Sequence, residues 1–295
     1  MSMLREPVPS AVSFDGATLS WHHAGACLEV SLHRAPLNEI GTESLRELEI
    51  LARYLRGGAG GARAMIVSSS RPGFCAGADL RELYAGLVSR GRSRLGRWLP
   101  PGVARRLLRA RIGGFIDRIH RVFDTLDRAP LPTIAAVHGV CFGGGFELAL
   151  TMDRIVADRT ARFCFPELRL GLVPGFGGIP RLERDVGNAV VRELLLTGRS
   201  LGARRAHEVG LASELVGRGE ALAAARRAAE QLIRFEPRTV AAAKAFAKPV
   251  PAERLRRERA LFCELVTRPG VLRALEAFVE DTSVRPYLPR AVGGA

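Results

Sequence analysis

Three short apolar runs set the tightest limit on what this chain can fold into: Ala64–Ser69 (AMIVSS), Thr133–Val137 (TIAAV) and residues 155–157 (IVA). Each has the length of a buried strand. Helical patterns lie between them, with Leu45, Leu48, Ala52 and Leu55 in Thr42–Arg56, then Ile116, Ile119, Val122, Phe123 and Leu126. Short buried strands alternating with helices imply an α/β architecture with parallel crossovers. Ser44 and Glu47 have the spacing of a capping box at the first helix, and the glycines of 57–61 end it. Residues 17–20 and Cys27–Leu32 read as two further short strands around a glycine turn. Beyond about Ser200 the pattern becomes helical, over 220–234, 252–266 and 271–279, with no strand-like run. The expected division is a core over 1–200, carrying a basic insertion at about 90–111, and a helical segment over 201–295.

Composition narrows the function classes. With 295 residues, 47% hydrophobic and 25% charged, the chain can bury a large core, which excludes disorder. Its formal net charge of +14 favours anionic partners. Yet Lys244 and Lys248 are the only lysines among 44 basic residues, a bias toward arginine that base composition alone can produce. Residues 90–111 hold eight arginines and no acid. That window reads as a solvated surface insertion, or as a docking patch for phosphates or an acidic partner protein. Aromatic residues are only 6%, and no RNP-type motif is present, which argues against nucleic-acid binding. Five scattered cysteines without a CxxC pair, and six histidines without HExxH or HxxxH spacing, give no expectation of a disulfide framework or metal site. The first residues lack a secretory pattern, and the apolar stretch 133–152 is broken by His138, glycines and Glu147. No membrane contact is expected, and a reducing cytoplasm is the expected location.

Chemistry concentrates in three glycine-rich segments. Phe74-Cys75-Ala76-Gly77-Ala78-Asp79 follows one strand, and its small residues leave backbone N–H groups open to a ligand. On composition alone an ordinary strand-to-helix turn is the preferred reading. Gly143-Gly144-Gly145 opens an apolar helix, where free N–H groups and the helix dipole face negative charge. It is neither a Walker A loop nor GxGxxG. Glu147 sits in that helix among Phe146, Leu148, Ala149, Leu150 and Met152. A carboxylate in such company must be paired, neutralised or used, so a structural ion pair and catalysis both fit. Glu167 lies between two turn-forming stretches, 165–171 and 174–178, either as a surface acid near Arg169 or as a functional group on a loop.

In order and spacing, these segments resemble the crotonase (enoyl-CoA hydratase/isomerase) family over nearly the whole chain. The matching pieces are Arg34-Ala35-Pro36-Leu37-Asn38, FCAGADL (74–80), AAVHG…GGGFELAL..D (135–153), FPELRLGLVPGFGG (165–178) and the 192–213 run. The resemblance implies a crotonase-like spiral of βα turns followed by a helical C-terminal segment that mediates trimer formation, as a homotrimer or hexamer. It also implies an acyl-CoA substrate, coenzyme A serving as carrier, with no metal or redox cofactor. Backbone N–H groups of Ala78 and Gly144 would form an oxyanion hole. Glu147 and Glu167 would hold one water between them, and Gly175 would help place it. Ala76, Arg81 and Arg34 would contribute to substrate or coenzyme binding.

The expected activity is 2-enoyl-CoA hydration or its reverse. Double-bond isomerisation, or dehydration on an acyl-carrier protein, are the alternatives. Two departures stand out: Ile179-Pro180 replaces the family's usual Thr-Gln, which would alter the pocket wall. Asp281-Thr282 replaces a Lys-Arg pair that helps hold coenzyme A phosphates. The basic window could take over that grip.

Overall fold

The structure is a computed structural model that describes residues 13–88 and 101–280. Its strands, in chain order, are β1 Ser13–Asp15, β2 Leu19–Ala24, β3 Cys27–Leu32, β4 Ala64–Ser69, β5 Thr133–Val137, β6 Val140–Phe142, β7 Arg154–Asp158, β8 Arg162–Cys164, β9 Leu201–Gly202 and β10 Glu214–Val216. The helices are α1 Thr42–Arg56, α2 Leu80–Val88, α3 Pro101–Asp127, α4 Gly144–Ala149, α5 Gly178–Val186 and α6 Asn188–Thr197. They continue with α7 Ala203–Glu208, α8 Ala221–Leu232, α9 Pro237–Ala247, α10 Ala252–Leu265 and α11 Pro269–Glu280.

The large sheet runs β1-β2-β3-β4-β5-β7-β10, antiparallel at the β1-β2-β3 end and parallel from β3 onward. Its central strands carry continuous apolar runs because both faces are covered. Met65, Val67, Ala135, Val137 and Ala157 face the main core, while Ile66, Ile134, Ala136 and Val156 face a second cluster. That second cluster is completed by Ala221, Ala224, Ala225, Ala228 and Ala229 of α8. Alanine spaced three and four apart lets the helix lie close to the sheet, and the strand period of two divides each run between the layers.

The chain coils, and each coil leaves a second, shorter piece of extended chain after its main strand. β6 follows β5 and β8 follows β7, and the two pair in parallel with β9 alongside. Earlier coils contribute single bridges, Cys75 to Cys141 and Ile40 to Ala78. The two glycine-rich segments therefore stand on neighbouring coils, each just after such a bridge.

Several expectations change here. β9 and β10 lie beyond Ser200, and β10 joins the large sheet beside β7 although its residues are only half-buried. Two- and three-residue strands carry too little periodicity to read. The strand expected at 17–20 starts at Leu19, because Glu47 claims the turn before it. Nor does Glu47 form a capping box with Ser44: α1 has no side-chain cap of its own, Ser44 Oγ donates to Glu39 O at 3.1 Å, and Glu82 of α2 accepts from Thr42 N at 3.0 Å. The basic window is not a loop insertion where it is described. Residues 101–111 are the start of the 27-residue helix α3, entered through Pro101, which loses no helical bond at that position. The remainder of the window, and the Asp281-Thr282 departure, lie outside the described residues. Among the described residues, no helix is long and apolar enough to cross a membrane.

Glu47 is buried and accepts from Ala17 N at 2.6 Å, Thr18 N at 2.9 Å, Leu19 N at 3.0 Å and Thr18 Oγ. Burial alone would raise its carboxyl, but the Thr18 hydroxyl and the three N–H groups together hold it below the ordinary 4.5. Its contribution to stability is thus present above the unfolded-state value and lost as pH falls through the depressed one. Glu47→Gln should lower urea-measured stability by about 2 kcal/mol at neutral pH. It should also flatten the loss of stability on acidification below about pH 4.

Candidate active site

The coil geometry brings Ala78 and Gly144 together. A Cβ built on Gly144 would stand 3.3 Å from Ala78 N and 2.7 Å from the Phe176 ring, so only glycine leaves this approach open. Gly144 is the first residue of α4 and has no intrahelical acceptor for its N–H, and Ala78 N likewise has none among the described residues. Two unclaimed N–H groups on adjacent coils form a preorganised site for an oxygen that gains negative charge. Gly143, at φ +47°, turns the chain into α4, and a Cβ there would come 2.7 Å from Glu167 Oε1. Both predicted carboxylates thus border the same loop.

Their environments differ. Glu147 is 2% exposed, and its Oε1 accepts from both Phe176 N and Gly178 N at 2.8 Å. Burial pushes its carboxyl up to about 7, while the two N–H groups and Arg181 oppose that rise. Glu167 sits in a 3-10 turn, Glu167–Leu170, and is half-buried as a residue, yet its Oε2 is sealed from solvent without a hydrogen-bond partner. Burial first, and the charge of Glu147 second, hold Glu167 well above the carboxylate range. Both carboxyls are therefore raised, and the charge of one opposes the ionisation of the other.

The turn 176–179 is the frame of the site. Arg181, fully buried, donates to Phe176 O at 3.0 Å and pairs with Asp127 at 2.8 Å and Asp124 at 2.7 Å. From α10, Glu258 accepts from Gly177 N at 2.7 Å and Ile179 N at 2.9 Å. Sequence reasoning missed Glu258 because the charged run around it reads as a solvated face. Its spacing from Leu255 and Phe262, both inward, was the available signal.

An apolar cleft of about 140 Å³ opens beside Ala78, walled by Leu83 and Leu87 of α2, Leu108 and Ile112 of α3, and Phe176 and Phe262. Arg111 stands on its wall, while Arg106 and Arg109 are exposed on the same helix. Gly175 is buried; its carbonyl bonds His120 Nε2 at 2.8 Å, and a Cβ there would meet the Phe262 ring at 2.6 Å.

The other predicted contacts are engaged elsewhere. Ala76 N donates to Leu37 O, and Arg34 pairs with Asp79 at 2.7 Å. The Arg81 guanidinium stacks 5.8 Å above the Phe278 ring of α11. Neither Ile179 nor Pro180 lines the cleft; Ile179 offers its N–H to Glu258, and Pro180 occupies the first turn of α5, where no helical donor is needed.

With the fold and these groups in place, comparison with known proteins gives the class. The sequence profile described as "Enoyl-CoA hydratase/isomerase" matches residues 111–285. The chain is 35% identical to the carnitinyl-CoA dehydratase of Proteus mirabilis, over 75% of this chain and 76% of that one. It is 32% identical to "Enoyl-CoA isomerase/hydratase fer4" of Mycosarcoma maydis, over 62% of this chain and 59% of that protein's length. The fold matches an enoyl-CoA hydratase/isomerase structure from Mycobacterium paratuberculosis with a TM-score of 0.73 and 20% identity, covering 88% of this chain and 98% of that one. The chain belongs to the enoyl-CoA hydratase/isomerase family and has the α/β crotonase fold.

Carboxyl-labelled glutamate NMR should show Glu147 titrating near pH 7. In the Glu147→Gln protein, Glu167 should titrate at lower pH than in the wild type, because a like charge is gone.

Proposed function

We propose that this chain hydrates 2-enoyl-CoA thioesters to 3-hydroxyacyl-CoA, and runs the reverse dehydration. The single observation that carries the reading is the convergence of two acids on one glycine loop: Glu167 reaches Gly143, Glu147 rises from the helix that Gly144 opens, and the open N–H groups of Gly144 and Ala78 adjoin them. Hydration needs that pair, a base for the water and an acid for the new C–H bond.

In this reading the thioester oxygen lies between Ala78 N–H and Gly144 N–H, with the acyl chain in the cleft. Glu147 takes a proton from water as its oxygen bonds the β-carbon. The double-bond electrons move toward the thioester, where the two N–H groups stabilise the enolate oxygen, each contributing about 3 kcal/mol to the barrier reduction. Glu167 then gives its proton to the α-carbon. Glu147 ends protonated and Glu167 ionised, and a proton exchange between them or with solvent resets the site. Isomerisation would need only one base to carry a proton along the chain, leaving the second acid without a task. The exposed Arg106 and Arg109 near the cleft favour a second possibility for the carrier, an acidic acyl-carrier protein in place of coenzyme A.

With crotonyl-CoA, loss of enoyl absorbance should accompany formation of 3-hydroxybutyryl-CoA, and Glu167→Gln should cut turnover by roughly 10²- to 10⁴-fold. A shifted alkene without a hydroxylated product would establish isomerisation instead. The same acyl group offered on coenzyme A and on carrier protein decides the carrier. The kcat/KM profile should be bell-shaped, its acid limb near pH 7 set by ionisation of Glu147, its alkaline limb by loss of the Glu167 proton.

A further inference from the structure

The chemistry above leaves one buried carboxylate at the site unused. Glu258 is 6% exposed and projects from α10 onto the turn that carries Glu147. The four successive N–H groups of this turn are divided in alternation: Phe176 and Gly178 to Glu147 Oε1, Gly177 to Glu258 Oε1 and Ile179 to Glu258 Oε2. Both oxygens of Glu258 face donors, so its carboxyl clasps the turn through alternate N–H groups. Glu147, by contrast, satisfies both of its donors through Oε1 alone, so Oε2 is left for chemistry.

We propose that Glu258 is a positioning residue for the general base: it fixes the turn that anchors Glu147 Oε1 and so keeps Oε2 directed at the reacting water. The proposal rests on the reading of Glu147 as the base. The other charged groups around Glu147 are accounted for. Glu167 approaches from the 3-10 turn, and Arg181 of α5 is shared with Asp124 and Asp127 of α3. His120 of α3 is occupied by Gly175 O. On α10 itself Arg254 pairs with Glu183 and Arg259 with Asp117, so neither offsets Glu258. Burial first, and the charge of Glu147 second, raise the Glu258 carboxyl, against the N–H groups of Ile179 and Gly177 and the charge of Arg181.

The test is the pH profile of crotonyl-CoA hydration by Glu258→Gln and Glu258→Asp beside the wild type. Glu258→Gln keeps the shape but replaces one acceptor oxygen by an NH2 group that cannot accept from the turn. It should lower kcat by roughly 10²-fold, the size of a small misplacement of a reacting group, with KM within about twofold. Its acid limb should move to higher pH, because a loosened turn withdraws the Phe176 and Gly178 N–H groups that favour ionised Glu147. Glu258→Asp keeps both acceptor oxygens and should bring the limb back toward the wild-type position. A folded Glu258→Gln protein whose acid limb does not move overturns the proposal.

If that variant does not fold, carboxyl NMR decides the matter from the other side. Coupling is reciprocal, so Glu147→Gln should lower the Glu258 midpoint, and an unchanged midpoint overturns the proposal. A wild-type protein that hydrates no enoyl thioester would sink the hydratase reading alone, because the NMR arm does not depend on turnover.

Discussion

One turn of four residues, 176–179, holds the active-site region together. Its N–H groups are consumed by Glu147 from α4 and Glu258 from α10, and Arg181 takes carbonyl oxygens of the same turn. Two carboxylates removed from water would each be costly alone. Here the unpaired N–H groups that begin α5 supply the compensation, and the α5 helix dipole adds to it. Arg181 is itself buried and anchored to Asp127, so a chain of opposite charges runs from Glu147 into the interior and out to Arg184 and Lys248. Removing any one member leaves another uncompensated, which explains why elements distant in sequence meet here.

The parts of the fold legible in the sequence were those where burial on two faces forces continuous apolar runs, such as Met65–Val67 and Ile134–Val137. What escaped notice is short or depends on distant partners. β6, β8, β9 and β10 are two or three residues long, below any measurable period. Glu47 shows how a local motif can mislead: the spacing from Ser44 is right for a cap, but the carboxylate finds stronger donors thirty residues earlier in the chain, at Ala17 and Thr18. At the site, Glu147 betrayed itself as a lone acid on an apolar helix. Glu258 did not, because Arg256, Arg257 and Arg259 surround it in sequence although they point elsewhere in space. Arg34 and Arg81 matched by position, and within the chain their guanidinium groups meet Asp79 and the Phe278 ring.

The two lysines make a related point. In a chain that otherwise uses arginine for its basic residues, Lys244 and Lys248 both belong to α9 or its cap and both turn inward. Lys244 Nζ meets Leu131 O at 3.0 Å and Asp153 at 2.7 Å, and Lys248 Nζ meets Thr151 O at 2.7 Å, Asp127 at 3.0 Å and Asp153 at 3.1 Å. A compact ammonium can satisfy carbonyl and carboxylate oxygens converging from several directions, whereas a planar guanidinium cannot. These contacts tie the helical C-terminal third to the end of α3 and to the strand entrances around Thr133 and Asp153. Composition bias sets the surface, and geometry overrides it where the cation is enclosed.

The coiled path has a consequence for how such a chain can be altered. Met65 pairs with Thr133 and Cys75 bridges Cys141, so the register between successive coils is fixed on both sides of the excursion through α2 and α3. Extra residues spliced into that excursion do not propagate into the strand pairing, whereas a single residue added between β5 and Gly144 would slide one N–H donor past the other. Length is therefore negotiable on the outside of the coil and forbidden at its hub. This is the mechanical arrangement a protein needs in order to diversify what enters its cleft while leaving the chemistry in place.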